Sequence, residues 1–372
     1  MKVYNQEKLK LIQKIAPFLF VIKLLRLPLL LLVIPLRFFR KNRPDYFIAD
    51  GFLIGDTILA RPLIKAVLRK DPNAYYLGGK HAKYLLSDTK VNLMENQWPW
   101  ATYDYSWQNL LKQVQIWYKI LWLQPRNVIE LRGDIRSLAL LYLTCPESLI
   151  GFSFTGGKLF LNQEPELPDE ILHLEAHNQA LAKLLNLDYH LFDLKISIDD
   201  ALFKNRDKII GLSFSGSLPL KTLPQEMAKI VLTELKRDSS LKLVYLKSPN
   251  DYFLDQNSEV MLKEFHVEVW QGDFAAYVQK VQALAGYIGM DSAGGHLAAL
   301  FDIPSVIFFG TQESSFAKPI SDKLLVLEPK ESLECRPCAG KVCGNQQNQA
   351  CLSSISELEI KETIQNLLLL TK

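Results

Sequence analysis

The stretch DYFIADGFLIGDTILARPLIKAVLRKDPNAYYLGG, residues 45–79, reads as strand, turn, helix and strand in succession. Tyr46–Ala49 is a short apolar strand, and Gly51 and Gly55 punctuate the turn after it. The helical pattern that follows ends before Asp71-Pro72, because a proline cannot continue the helix and restricts the residue before it. The rhythm is that of a βαβ unit, hence of a parallel sheet. It returns from residue 208 as KIIGLSFSG, the helix PQEMAKIVLTELKRD, the strand LKLVYLK and the strands VEVW, AGYIGM and PSVIFFG, each paired with a helical stretch. Two βαβ series predict an α/β protein of two Rossmann-like domains with parallel sheets facing a central cleft. The expected divisions are an arm over 1–43, a first domain over 44–195, a second over 196–354 and a C-terminal helix over 355–372. Residues 190–206 form the linker.

The chain has 372 residues, 48% of them apolar and 22% charged, which suits an ordered protein with two cores. Its net charge of +3 is unevenly distributed. Residues 1–43 carry ten Lys and Arg against the single Glu7, a net +9, which leaves −6 for the rest. A nucleic-acid-binding body should carry its positive stripe on the folded domain, so nucleic acid is not an expected partner. Lys23 and Arg26 interrupt the apolar part of the arm, and Pro17, Pro28 and Pro35 are expected to break it into short pieces. The reading is an interfacial segment with its apolar face in lipid and Lys23, Arg26 and Arg37 among anionic headgroups. Helices packed on the protein itself and a true span are the alternatives. With no small-residue cleavage site after the apolar run, a cleaved signal peptide is disfavoured. The body is therefore expected in the cytoplasm, peripheral to the inner membrane.

Ligands of open parallel sheets bind outside the carboxyl ends of the strands, and three segments meet that condition. In MDSAGGH, residues 290–296, Asp291 or Ser292 caps a helix. Gly294 and Gly295 remove side chains that would keep an anion from the first-turn amides, and His296 adds a donor. In SFSGSLPLKTLP, residues 213–224, hydroxyls and Lys221 suit phosphate oxygens, and the spacing is not that of a P-loop. In DGFLIGDT, residues 50–57, Asp56 is either a helix cap or a carboxylate base. No G-x-G-x-x-G follows a strand, which counts against a dinucleotide oxidoreductase.

These segments, with VIELRGDIRSLALLYL, HLEAHNQALAKLL and GMDSAGGHLAALFDIPSVIFFG, occur in an order that resembles the family 9 glycosyltransferases, the bacterial ADP-heptose heptosyltransferases. The resemblance implies a GT-B fold and transfer of heptose from ADP-heptose, with inversion, to a lipopolysaccharide core or a related glycan or protein acceptor. It makes Asp56 the base. It makes Ile54, Ser215, Ser217, Lys221, Asp291, Ser292, Gly294, Gly295 and His296 the donor-binding set, the two glycines giving room to the diphosphate. Arg132 and Arg136 are candidates for an acidic acceptor or for surface ion pairs. No cofactor is expected for catalysis. A non-catalytic nucleotide-sugar-binding protein of the same fold is the alternative.

Cys335, Cys338, Cys343 and Cys351 form a C-x2-C-x4-C-x7-C cluster. In a reducing compartment four such thiols favour a structural Zn or Fe finger over disulfides or free thiols. Some relatives of the family carry an iron-binding finger of this type.

Overall fold

The structure is a computed structural model that describes residues 18–40, 42–167, 173–196, 208–338, 342–345 and 348–371. The chain divides into two compact units, Met1–Leu194 and Lys195–Lys372. The N-terminal unit holds a five-stranded sheet of β1 (Tyr46–Ala49), β2 (Tyr75–Gly78), β3 (Asn92–Glu95), β4 (Asn127–Glu130) and β5 (Ser148–Gly151), in the order β3-β2-β1-β4-β5. The C-terminal unit holds β6 (Ile209–Ser213), β7 (Lys242–Leu246), β8 (Glu268–Trp270), β9 (Gly286–Met290), β10 (Ser305–Phe308) and β11 (Leu324–Leu327), in the order β11-β10-β9-β6-β7-β8. Every pairing between these strands is parallel. In each sheet the first strand lies between the second and the fourth, so strand order reverses beside it.

Burial explains why these sequences form these layers. All four residues of β1 are buried, and alternate side chains of a strand point to opposite faces. Ile48 packs with Ala60, Ile64 and Val67 of helix Ile54–Lys70 and with Leu181 of helix Leu174–Leu184. Phe47 and Ala49 pack on the other face with Ile116 and Ile120 of helix Trp107–Leu123 and Leu138 of helix Ile135–Tyr142. A strand covered on both sides reads as a continuous apolar run. In the C-terminal unit, helix Gln225–Leu235 and the final helix Glu357–Leu370 share one core through Val231, Leu235, Ile360 and Ile364.

The arm departs from expectation in two ways. Leu19–Phe39 is one continuous helix with Pro28 and Pro35 inside it, and the first seventeen residues lie outside those described. The two prolines are seven residues apart and so share a face, and both are exposed. Their rings point away from the protein while the opposite face packs on it. That inward face carries Val33, buried beside Leu121 and Cys145, and also the arginines expected among headgroups. Arg26 donates to the carbonyl of Pro146 at 3.0 Å and lies 4.1 Å from the centre of the Tyr142 ring. Arg37 bonds Gln124 Oε1 at 3.0 Å and also the Cys145 carbonyl, and Arg40 bonds the Trp122 carbonyl. These acceptors follow or end helices Trp107–Leu123 and Ile135–Tyr142, where orphan carbonyls and the negative end of the helix dipole attract cations.

The paired glycines also have a structural use. Helix Ala293–Leu300 is buried from Gly294 to Leu300. A Cβ on Gly294 would overlap the Tyr287 hydroxyl and lie 2.7 Å from that of Tyr277; one on Gly295 would lie 2.7 Å from Ile307 Cδ1. The missing side chains therefore make room for the sheet and the neighbouring helix, a packing role beside the expected one. Gly294→Ala should destabilise the protein by about 1–3 kcal/mol, the usual cost of overpacking against fully buried rings. Gly344→Ala, where a Cβ meets nothing within 4 Å, should leave the denaturation midpoint unchanged. Equal midpoints for the two variants would refute the packing role.

Candidate functional site

At the carboxyl ends of β1 and β4, where strand order reverses, three charged side chains converge. Asp50 follows β1 and is fully buried. Gly51 turns the chain away at φ +63°, and a Cβ there would lie 2.6 Å from the Trp98 ring. Asp56 is the third residue of helix Ile54–Lys70, and its Oδ2 accepts the Leu53 amide at 3.1 Å. The residue expected as an N-cap thus closes the first turn from inside the helix, while Ile54, half-buried, opens that helix. Arg132, two residues beyond β4, joins the two acids. Its Nη2 lies 2.8 Å from Asp56 Oδ1 and its Nε 3.4 Å from Asp50 Oδ1. The Tyr76 hydroxyl donates to Asp50 Oδ2 at 2.6 Å. Burial pushes the Asp50 carboxyl up, against Arg132 and the Tyr76 bond, and the Asp56 charge adds to the rise. Asp56 keeps 19% of its side chain exposed. Each carboxylate oxygen has a second lone-pair direction, so Asp56 is held in place with lone pairs left for a further hydrogen bond.

The turn that carries Arg132 is built on Glu130, the last residue of β4. Its carboxylate accepts the amides of Arg132 at 3.1 Å and Gly133 at 2.5 Å and the Ser137 hydroxyl at 2.7 Å. Complete burial nevertheless drives its pKa up to about 8, against those hydrogen bonds. Arg136, expected with Arg132 as an acceptor contact, makes a two-point pair with Asp134 at 2.9 and 2.6 Å, 5.0 Å from the Trp100 ring centre. It takes the ion-pair role. His177 packs against Phe152 and Phe154 with ring centres 5.3 and 5.1 Å away. Burial first, then the Arg132 and His173 charges, lower its pKa to about 4, so it is neutral near neutral pH.

The C-terminal unit has its own reversal, beside β6 and β9. The loop after β6 is pinned by the Gly216 amide donating to the Lys221 carbonyl at 2.6 Å and the Leu223 amide to that of Phe214 at 2.8 Å. This aims Lys221 at Asp291, just past β9, with Nζ 2.5 Å from Oδ2. Ser292 occupies the N-cap of helix Ala293–Leu300 but makes no side-chain cap bond, and Asp291 is engaged by Lys221, so neither fills the expected capping role. A lysine and the positive end of a short helix therefore stand together. Ser217 is exposed on the loop, and His296 is buried one turn into the helix. Ser215 is buried and accepts the Tyr252 amide at 2.9 Å, which makes it a brace of the loop. Leu223 belongs to the core.

The cysteines depart from expectation. All five are free thiols; Cys335 is exposed and Cys338, Cys343 and Cys351 are half-buried. Among the described residues, no three His, Cys, Asp or Glu side chains are gathered as a metal set. The Cys343 sulfur accepts the Gln349 amide at 3.4 Å, while Cys351 lies in helix Ala350–Ser353 against the position of Gly310. The expected Zn or Fe finger is thus not supported by a gathered ligand set, although Cys335 and Cys343 lie near enough to Cys351 to help raise its thiol pKa, after burial.

Asp50, Tyr76, Glu130 and His177 were not singled out in the sequence. A carboxylate closing a buried strand, as Asp50 and Glu130 both do, is the signal available for two of them.

A family model for glycosyltransferase family 9 (heptosyltransferase) matches residues 126–348, a span that includes Arg132, Lys221 and Asp291 and begins after Asp56. The glycosyltransferase family 9 protein of Veillonella parvula is similar with a TM-score of 0.66 and 17% identity, covering 88% of this chain and 97% of that one. Escherichia coli ADP-heptose lps heptosyltransferase II gives 0.65 and 16%, covering 87% and 98%. The iron-containing dodecameric glycosyltransferase TibC of enterotoxigenic E. coli gives 0.54 and 10%, covering 88% and 77%. At these identities the likeness is one of fold, and the fold is GT-B. No curated protein sequence matches the chain.

Glu130 gives this site a pH signature. An acid with a folded pKa of about 8 and an ordinary value of 4.5 retains a proton in the folded state that the unfolded chain has lost. Its contribution is therefore full below pH 4.5 and declines as pH rises towards about 8. Relative to wild type, Glu130→Gln should gain melting temperature as pH is raised through that window. A constant difference between the two proteins across the window would contradict the buried, protonated carboxyl.

Proposed function

The chain belongs to glycosyltransferase family 9, and we propose that within it the protein moves heptose from ADP-heptose to a hydroxyl of a lipopolysaccharide-type glycan or a protein acceptor, with inversion. The observation that carries this reading is Lys221 held 2.5 Å from Asp291 at the start of a helix with no side-chain cap. That arrangement suits a leaving diphosphate. A cation and first-turn amides stabilise negative charge that grows as the bond breaks, and Asp291 keeps the lysine in position until a phosphate competes for it.

In this reading the Asp56 carboxylate takes the proton of the acceptor hydroxyl as the oxygen forms its bond to the anomeric carbon. The bond between that carbon and the diphosphate oxygen breaks in the same displacement, and ADP departs with the electron pair. Arg132 orients Asp56 through its 2.8 Å ion pair and fixes which lone pairs face the acceptor. A single displacement inverts the anomeric centre. The acceptor class and the exposed outer face of helix Leu19–Phe39, long and apolar enough to cross a membrane, fit a protein that works at the cytoplasmic surface of the inner membrane. Anionic lipid attraction would fall to Lys23 and to the lysines before residue 18, since Arg26 and Arg37 face the protein.

Asp56→Asn tests the base. Asparagine retains the size and much of the hydrogen-bonding capacity of aspartate, so folding should survive with a loss of about 1 kcal/mol. Transfer should fall about 10²–10⁴-fold, followed as ADP release by mass spectrometry, while ADP binding by calorimetry stays within a few-fold. Lys221→Met should show the complementary pattern, with ADP binding weakened at least about tenfold. Normal turnover by Asp56→Asn would remove the base. A wild-type protein that binds ADP-heptose and never releases ADP would be a non-catalytic binder.

A further inference from the structure

Helix Trp107–Leu123 crosses from β3 to β4 and covers one face of the N-terminal sheet with Ile116 and Ile120. A helix of this kind ordinarily turns a polar face to water. Here Trp107, Leu110, Leu111, Val114, Tyr118 and Trp122 recur at spacings of three and four residues, which places them on the face opposite the sheet, and every one is exposed, Trp107 at 73%. Apart from Arg40 stacked on Trp122, no packing role within the described residues accounts for this stripe. The helix contains Lys112 and Lys119 and no acidic residue.

Helix Leu19–Phe39 lies alongside. Val33 meets Leu121 with Trp117 packed against them, and Arg40 stacks 4.3 Å from the centre of the Trp122 ring, so the two helices meet at the end of the stripe. The outward face of this second helix is also apolar, with Leu31 77% and Phe38 85% exposed. Because Arg26 and Arg37 are committed to carbonyls on the inward side, the helix is fixed with its apolar side out. Its charged side chains are Lys23, Arg26 and Arg37, again with no carboxylate.

Three features select the occupant. The surface is continuous with a helix apolar enough for hydrocarbon. Its aromatic members are Trp and Tyr, whose rings combine an apolar body with a polar edge and suit headgroup depth. The charges on the two helices are all cationic, which complements anionic lipid. We propose that the stripe on helix Trp107–Leu123 and the outward face of helix Leu19–Phe39 form a two-helix seat that enters the interfacial layer of an anionic bilayer, so that the body of the N-terminal unit, and not the arm alone, holds the membrane. This rests on the membrane reading above and adds a second, separable surface to it. Since the helix runs into β4, whose end carries Arg132, the seat ties the candidate site to the surface where a lipid-borne acceptor resides.

The test uses the full chain and co-sedimentation with phosphatidylcholine vesicles, with and without phosphatidylglycerol. Leu111→Glu with Val114→Glu changes the stripe, and Leu31→Glu with Phe38→Glu changes the arm face; all four positions are exposed. Each pair should weaken binding to the anionic vesicles at least about tenfold while the melting temperature stays near that of wild type. If the stripe glutamates impair folding, Trp107→Gln with Tyr118→Gln decides by the same readout. Wild-type binding by the stripe variant, with binding lost in the arm variant, would overturn the seat and leave the membrane reading intact. Failure of the wild-type protein to bind either vesicle would overturn both. A stripe variant that loses a wild-type dimer in analytical ultracentrifugation but still binds vesicles normally would assign the stripe to a second copy and overturn the proposal.

Discussion

A parallel sheet whose strand order reverses beside its first strand sends neighbouring connections to opposite faces and leaves their starting points open at the carboxyl edge. The chain meets this constraint twice, beside β1 and β4 in one unit and again beside β6 and β9 in the other, and charged residues gather at each of these edges. At the first, burying Asp50 is costly unless the charge is paired, and Arg132 and Tyr76 are the partners that make it tolerable. Breaking such a buried pair typically costs about 3–5 kcal/mol. Arg132 is thereby fixed by Asp50 through Nε, and its Nη2 holds Asp56. The second edge works in the same way with fewer parts: backbone bonds pin the loop 216–221, which aims Lys221 at Asp291.

Much of this was legible in the sequence. The apolar strands and intervening helices gave the two sheets, and the segments carrying Asp56, Lys221 and Asp291 stood out because each lies in the turn that follows a strand. Partnership was not legible. Arg132 reads as an acceptor contact or a surface ion pair until β4 is seen to lie beside β1, which brings it to Asp50 and Asp56. Glycine is ambiguous for a related reason. A Gly-Gly at a helix start reports a close approach but not what approaches, and here it is Tyr287, Tyr277 and Ile307. The cysteine spacing shows that four thiols are near in sequence; whether they gather into a ligand set depends on backbone paths that a spacing does not contain.

The arm shows how tertiary contacts override local rules. Two prolines interrupt the hydrogen-bond ladder of Leu19–Phe39, yet the helix persists because its opposite face is anchored by Val33 and by arginines bonded to carbonyls at helix ends. The same anchoring reverses the polarity expected from the sequence: cations face the protein, and the apolar side faces out. Charge on an amphipathic segment thus identifies an attraction to something negative, and helix C-termini of the same chain meet that description as well as lipid does.

The central claim is that the edge of the second sheet, where Lys221 meets Asp291, receives the nucleotide diphosphate. A crystal structure of the full chain with ADP tests it most directly. The account predicts diphosphate oxygens within hydrogen-bond distance of Lys221 Nζ and of the first amides of helix Ala293–Leu300. ADP bound elsewhere, with Lys221 still closed on Asp291, would contradict it.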